Sequence, residues 1–410
     1  MTQPLTIAYL APEIPALSAT FVYNEILQLE QLGTDVIPFS VHASTSNIEE
    51  PRVQALATKT FNLYAQSKLS VIADNLVMLA SRPINYSRTL GLLLSDMWRV
   101  GLFSRTAFGL AYRMLFSASL ARRLIQKKCK HLHVHFAHIP SDIAMYASSI
   151  SSIPFSITAH ANDLYERGWL LKEKVERSKF FATISEFNQR YLADQGVDLD
   201  KVKIIRCGVD PAQFSQRQEM PNNTIPRIGV IGRLVEKKGI DTLIEAVSLL
   251  KKQGQKVELQ VAGSGPLDST LKALVAQKKL SIEDVCFLGA IPHSEVADFI
   301  KSLDMFVLPC KQDENGDIDG IPVVLMEAML SGVPVISSRL SGIPELVIDN
   351  KTGLLIEQND SVALAKAISI IINDSVLKAN LIEQAVVRVK QEFSQIDNAQ
   401  KLNDLFGLTK

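Results

Sequence analysis

Short apolar runs alternate with helix-period segments along nearly the whole chain, and this rhythm restricts the fold more than any single residue does. In the first half the runs are Thr6–Leu10, Val36–Val41, Leu132–Phe136, Phe155–Thr158, Phe180–Ile184 and Val202–Arg206. In the second half they are Arg227–Ile231, Val257–Ala262, Val285–Leu288, Met305–Leu308, Val335–Ser337 and Leu354–Ile356. They lack the regular polar–apolar alternation of a half-exposed sheet, so they read as strands of a parallel sheet buried on both faces. The segment Ile240–Gln253 shows what lies between strands: Leu243, Val247 and Leu250 fall on one helical face. Strand–helix alternation predicts an α/β fold with doubly wound sheets, and two series predict two Rossmann-like domains. A length of 410 residues fits two cores better than one.

The predicted boundaries follow from composition. Residues 1–207 form the first domain, with a helical insertion over about 60–130. Residues 208–226 are polar, hold three prolines and have no periodicity, and so read as a linker. Residues 227–390 form the second domain, and residues 391–410 a last helix able to cross back to the first.

Forty-three basic and 43 acidic residues balance, so bulk charge offers nothing to nucleic acid. The four cysteines are far apart and form no CxxC pair, which suggests neither a zinc site nor a disulfide framework and fits a cytoplasmic location. The first residues read as a strand rather than a signal peptide, and no apolar run reaches membrane-spanning length. One region departs from the overall balance. From Lys68 to Lys130 there are 11 bases and only two acids, Asp74 and Asp96. That excess is either a solvated face or a patch for an anionic membrane surface, which would make attachment peripheral.

Chemistry concentrates in the second half. Asp319-Gly320-Ile321-Pro322-Val323 precedes an apparent helix that carries Glu327. A helix N-terminus offers unpaired N–H groups and a positive dipole to phosphate, and a carboxylate within the helix can accept from a ribose diol. Arg233 and Lys238 lie in the loop after the first strand of the second domain, at the edge where open α/β sheets bind ligands. Two cations there can neutralise a departing diphosphate, although such a loop alone could equally be surface decoration. Gly263, Gly265 and Gly289 end two further strands and would let a ligand approach the backbone closely. The acidic run Asp313, Glu314, Asp317 and Asp319 lacks the spacing of a calcium loop, and no metal is expected.

Taken together, GRLVEKKGIDTLIEA, AGSGPL, FLGAI, DMFVLPC, DGIPVVLMEAMLSGVPVISS, GIPELV and TGLL occur in order over Arg227–Asp360. This series resembles the retaining GT-B glycosyltransferases of glycosyltransferase family 4. HVHFAH, FSITAHANDLY, ATISE and RCGVDPAQF in the first half resemble the members that build bacterial exopolysaccharides such as colanic acid. The resemblance implies two domains facing across a cleft, with transfer from a UDP- or GDP-sugar to a glycan or lipid-linked acceptor. It implies no cofactor.

By the same resemblance, Arg233 and Lys238 contact the donor diphosphate. Glu327 holds ribose, and Asp319, where the family usually has Glu, faces the sugar. Backbone amides from Gly320 through Ile321, Pro322 and Val323 to Val324 line the phosphate and sugar, although Pro322 itself has no N–H. His160 faces the reacting sugar, and Ser18 and Thr20 replace a Gly-Gly loop on the acceptor side. His135 and His138 read as structural or acceptor-side residues. Other GT-B chemistry (phosphorolysis or epimerisation) and a nucleotide-sugar-binding protein without activity are the alternatives.

Overall fold

The computed structural model describes residues 6–16, 19–45, 50–219 and 221–407. They form two compact units, Met1–Ile184 with Asn188–Ile205 and Ile396–Lys410, and Arg206–Gln395 with Ser185–Phe187.

The first unit is built on a seven-stranded sheet, every pair parallel. Its strands are β1 (Thr6–Ala11), β2 (Asp35–Ser40), β3 (Phe61–Asn62), β4 (His131–His135), β5 (Phe155–Ala159), β6 (Phe181–Thr183) and β7 (Val202–Ile204). Their order is β3-β2-β1-β4-β5-β6-β7. The chain therefore runs outward from β1, then returns to lay β4 on its other side, and the crevice between β1 and β4 is the topological switch point. Strands β4 and β5 are buried throughout although β4 reads HLHVH. Period-two geometry puts His131, His133 and His135 on one face. The hydroxyls of β5 partner two of them: Ser156 Oγ lies 2.7 Å from both His131 Nε2 and His133 Nδ1, and Thr158 Oγ1 is 3.0 Å from His133 Nε2. The inserted region contains the helices Lys68–Ser81, Pro83–Arg99 and Arg105–Gln126, the first and third capped by Ser67 and Ser104. The C-terminal helix Gln395–Leu405 belongs mainly to this unit, where Leu402 and Phe406 join the core beside Ile7 and Tyr9.

The second unit has six parallel strands: β8 (Arg227–Ile231), β9 (Glu258–Ala262), β10 (Val285–Gly289), β11 (Met305–Leu308), β12 (Val335–Ser338) and β13 (Leu354–Ile356). The order β10-β9-β8-β11-β12-β13 repeats the outward run and return, with its switch point between β8 and β11. These strands fall within two residues of the apolar runs in the sequence, and the two-residue β3 is an addition to them. Residues 208–226, expected as a linker, are part of this unit. Val209 and Phe214 enter its core, Val209 bridges to Ser394, and Arg217 Nη1 donates to Leu303 O at 2.5 Å. Irregular backbone hid two buried side chains that have no helical or strand period.

Candidate functional site

In the second unit the loops after β8, β9, β11 and β12 meet at the carboxyl edge of the sheet. The loop after β8 ends in a 3₁₀ turn, Glu236–Lys238, and Gly239 follows in left-handed geometry at φ 64°. A Cβ at Gly239 would lie 1.8 Å from Pro309 O, so only glycine lets the loop press against the end of β11. Lys311 N donates to Lys237 O at 3.0 Å and completes that seam. Gly263, at φ 141°, has an equally crowded reason: a Cβ there would meet Gly232 O at 1.9 Å. Gly265 is likewise packed on Leu234, and Leu234 N donates to Ser264 O at 2.9 Å. These two glycines thus join one loop to the next, a packing role beyond the ligand access expected for them. Gly289 is exposed, and its carbonyl accepts from Gly263 N at 2.7 Å.

Lys238 sits at the switch point with Asp319. Its Nζ is 2.7 Å from Asp319 Oδ2, while Lys237 Nζ is 3.4 Å from Asp319 Oδ1 and 2.7 Å from Asp317 Oδ2. Burial pushes the Asp319 carboxyl up, but Lys238 and Lys237 override it and hold the group below the usual carboxylate range. Burial likewise disfavours the Lys238 ammonium, and Asp319 more than compensates, raising it. The thiol of Cys310, 3.6 Å from Asp319 Oδ2, is pushed well up by burial and by that carboxylate. Arg233 is exposed and forms no ion pair among the described residues, so its guanidinium is available to a ligand.

The helix carrying Glu327 runs Val323–Leu330 and so begins three residues later than Gly320. Pro322 at its N-cap is extended and lacks a capping side chain, which leaves the first-turn N–H groups without that partner. Ile321 and Pro322 are buried, and Ser341 Oγ pins the approach by donating to Asp319 O and Gly320 O. Glu327 is 9% exposed and its carboxyl has no hydrogen bond or ion pair among the described residues. Desolvation alone pushes it up to about 7. Glu345, from the GIPELV stretch, has a structural occupation: its carboxylate accepts from Glu186 N, Phe187 N and Arg206 Nη1 at 3.0, 2.8 and 2.6 Å.

In the first unit His160 follows β5 and is buried. Its backbone N–H donates to Asp163 Oδ1 at 3.0 Å, and the rings of Phe21 and Phe136 lie 4.4 and 4.8 Å from its imidazole, centre to centre. His160 Nε2 is 3.0 Å from His135 Nδ1, and His135 Nε2 is 2.9 Å from Glu25 Oε1. Tyr9 donates to the same carboxylate oxygen. Burial pushes His160 and His133 far below the ordinary histidine range, and takes His138 down to about 3. Glu25, His133 and His135 bring ligand-type atoms within 4.8 Å of one another, an arrangement a metal could use. Each of those atoms already takes part in a hydrogen bond. Thr20 is the first residue of the helix Thr20–Gln31 that supplies Phe21 and Glu25; Ser18 lies outside the described residues.

Sequence reasoning brought Lys238 and Asp319 together but missed Lys237, Glu25 and the link from His135 to His160. Lys237 stood beside Lys238 in the same motif. Glu25 had no signal, because its histidine partners lie more than a hundred residues away.

Comparison with known proteins identifies the family and the fold. The profile "Glycosyl transferases group 1" matches residues 212–388, and "Glycosyltransferase Family 4" matches residues 18–213. The amylovoran biosynthesis glycosyltransferase AmsK of Erwinia amylovora is 34% identical over 58% of this chain and 59% of its own. The putative colanic acid biosynthesis glycosyltransferase WcaL of Escherichia coli (strain K12) is 37% identical over 53% of this chain and 54% of its own. The chain thus matches between half and three fifths of the length of these relatives. The crystal structure of Anabaena Alr3699/HepE in complex with UDP superposes with a TM-score of 0.73 at 16% identity, covering 99% of this chain and 100% of that one. That likeness shows the GT-B fold.

Proposed function

The chain belongs to glycosyltransferase family 4, and from that premise we propose that it moves a sugar from a UDP- or GDP-sugar to a hydroxyl of a glycan or lipid-linked oligosaccharide in bacterial exopolysaccharide synthesis. Glu327 is the observation that carries this reading. A buried carboxyl without a partner is costly, and the cost is recovered when two ribose hydroxyls donate to it. A donor that carries a ribose fits this residue better than free phosphate does, which favours transfer over phosphorolysis.

The diphosphate lies against Arg233, Lys238 and the first N–H groups of the helix Val323–Leu330 in this reading. The bond from the anomeric carbon to the diphosphate oxygen breaks, and negative charge grows on that oxygen. Preorganised cations stabilise it most where it is greatest, in the transition state. The acceptor hydroxyl attacks from the face the diphosphate leaves, and its proton passes to the departing phosphate, so configuration is retained. Asp319, held by Lys238, faces the sugar. Arg233 and Lys238 supply the charge without a metal in this scheme. We place the reaction in the cytoplasm at the inner surface of the membrane.

The test is thermal stabilisation by UDP, GDP, ADP and their sugars, in the native chain and in Lys238→Ala. One nucleotide should shift the native melting temperature, and the variant should lose both that shift and at least ~10²-fold in turnover. Near-normal turnover of the variant defeats the assignment. Lys237, 3.4 Å from Asp319 in the native chain, gives the carboxylate a second cation when Lys238 is removed.

A further inference from the structure

The helices Lys68–Ser81, Pro83–Arg99 and Arg105–Gln126 each bury one apolar stripe and expose a second. On the first, Val71 and Met78 face the core while Leu69, Ile72, Leu76 and Leu79 face out at helical spacing. The others expose Ile84, Leu94 and Trp98, and Phe108, Tyr112 and Leu115. Phe103, between them, is 85% exposed and Trp98 77%. Thirteen of the 21 exposed large hydrophobic residues among the described residues fall between Leu69 and Leu115. A concentration of that kind marks an interaction surface. Asn75 joins the three helices, donating to Leu115 O at 2.9 Å and accepting from Tyr86 Oη at 2.8 Å.

Charge identifies the occupant. The two acids of this region are buried: Asp74 holds Arg122 and Arg123 at 2.5 and 2.9 Å, and Asp96 holds Arg177 at 2.7 Å. Arg113 and Arg99 are also spent in ion pairs, with Asp142 and Glu173. Much of the basic excess is therefore structural. The surface that remains has exposed Lys68, Arg88 and Arg105 and no exposed acid. Two copies of such a face would oppose like charges, whereas anionic headgroups complement it. Tyr and Trp suit the boundary between headgroups and acyl chains, and no helix among the described residues is long and apolar enough to cross a membrane.

We propose that this three-helix face seats the protein in the interface of an anionic bilayer, with the apolar stripes providing most of the attachment and Lys68, Arg88 and Arg105 the remainder. This deepens the membrane clause of the reading above and does not depend on its donor chemistry.

The test is flotation of the full chain with vesicles of phosphatidylcholine containing about 30 mol% phosphatidylglycerol. The native chain should float, and the combined variant Leu76→Glu, Leu94→Glu, Trp98→Glu should lose at least about tenfold in bound fraction. Its melting temperature and nucleotide-induced shift should stay native, since all three side chains are exposed. Raising salt from about 0.1 M to about 0.5 M should weaken native binding only a few fold, because screening acts on the bases and not on the stripes. A native chain that does not float overturns the proposal, as does a variant that floats undiminished. A stable native dimer that the variant breaks into monomers overturns it too, by making the face an interface between copies. Flotation without any nucleotide shift would instead defeat the transferase reading and leave this surface standing.

Discussion

The two switch points handle buried charge in opposite ways. At the first, between β1 and β4, imidazoles are packed against hydroxyls and one another, and burial drives His131, His133, His138 and His160 toward the uncharged form. At the second, between β8 and β11, Lys238 and Asp319 are largely enclosed, their side chains 17% and 14% exposed, yet shift toward their charged forms. The difference is an opposite charge at 2.7 Å. Desolvation acts on both sites, and only a close counter-charge outweighs it. Glu327 shows that this is not a property of the second unit as a whole, because without a partner it moves up to about 7, as the histidines move down.

The largest consequence is an opposite response to acid. A histidine depressed in the folded state contributes stability that is present above its unfolded value near 6.5 and lost as pH falls toward its folded value, about 3 for His131 and His138. Each such histidine weakens folding up to about tenfold per pH unit below 6.5. Glu327 works the other way: its neutral form is favoured by folding, so acidification from about 7 toward 4.5 relieves the second unit. Hydrogen exchange at pH 5.0 and 7.5, corrected for the intrinsic rate, should show the first unit losing protection at the lower pH while the second keeps it. Equal loss in both units would erase the contrast.

How far the sequence reached depended on whether a feature was local. The strands were legible because each is a continuous apolar run between helix-period segments. Lys238 and Asp319 were legible because each sits in a motif with its own turn, and the doubly wound topology brings the two loops to one edge. Residues 208–226 misled because Val209 and Phe214 are isolated apolar residues in irregular chain. The basic excess of 68–130 was legible only in part: sequence counts charges but does not show that Arg113, Arg122 and Arg123 point inward to carboxylates. The exposed stripes were hidden by the same limitation, since a helix apolar on two faces reads simply as buried.

A second prediction takes Glu327 to the side of the comparison where charge is absent. Glu327→Gln keeps the shape and removes the ionisable group. It should lower nucleotide affinity by about 10- to 100-fold, the loss expected when hydrogen bonds to a charged acceptor become neutral ones. Ligand hydroxyls favour the carboxylate, so native affinity should rise with pH through about 7, whereas the affinity of the variant should be flat there. Stability should move the opposite way. At pH 8 the variant should melt higher than the native chain, which then holds an unpartnered buried carboxylate, and near pH 4.5 the two should coincide. Isothermal titration and melting curves across that range decide both points. A variant that binds like the native chain removes Glu327 from the ribose role.

The smallest expected effect tests whether the first switch point is ordered by hydrogen bonds or merely filled. Glu25 Oε1 accepts from Tyr9, so His135 meets that carboxylate with Nε2 as donor at 2.9 Å. With one proton on its ring, His135 offers Nδ1 as an acceptor, and His160 must then donate from Nε2 across 3.0 Å. The carboxylate of Glu25 would in this way choose the tautomer of a histidine it does not touch, leaving Nδ1 of His160 as the accepting atom. Glu25→Leu keeps a side chain of similar size and removes the acceptor. Ring nitrogen shifts of ¹⁵N-labelled His160 should report the Nε2–H form in the native chain and a mixture in the variant. Turnover should fall about three- to tenfold, the worth of roughly one hydrogen bond, with KM for the donor unchanged. Simple packing would lower the melting temperature and leave both the tautomer and kcat where they were. That result would make the first switch point a filled core and leave the charged pair of the second as the only ordered chemistry in the comparison.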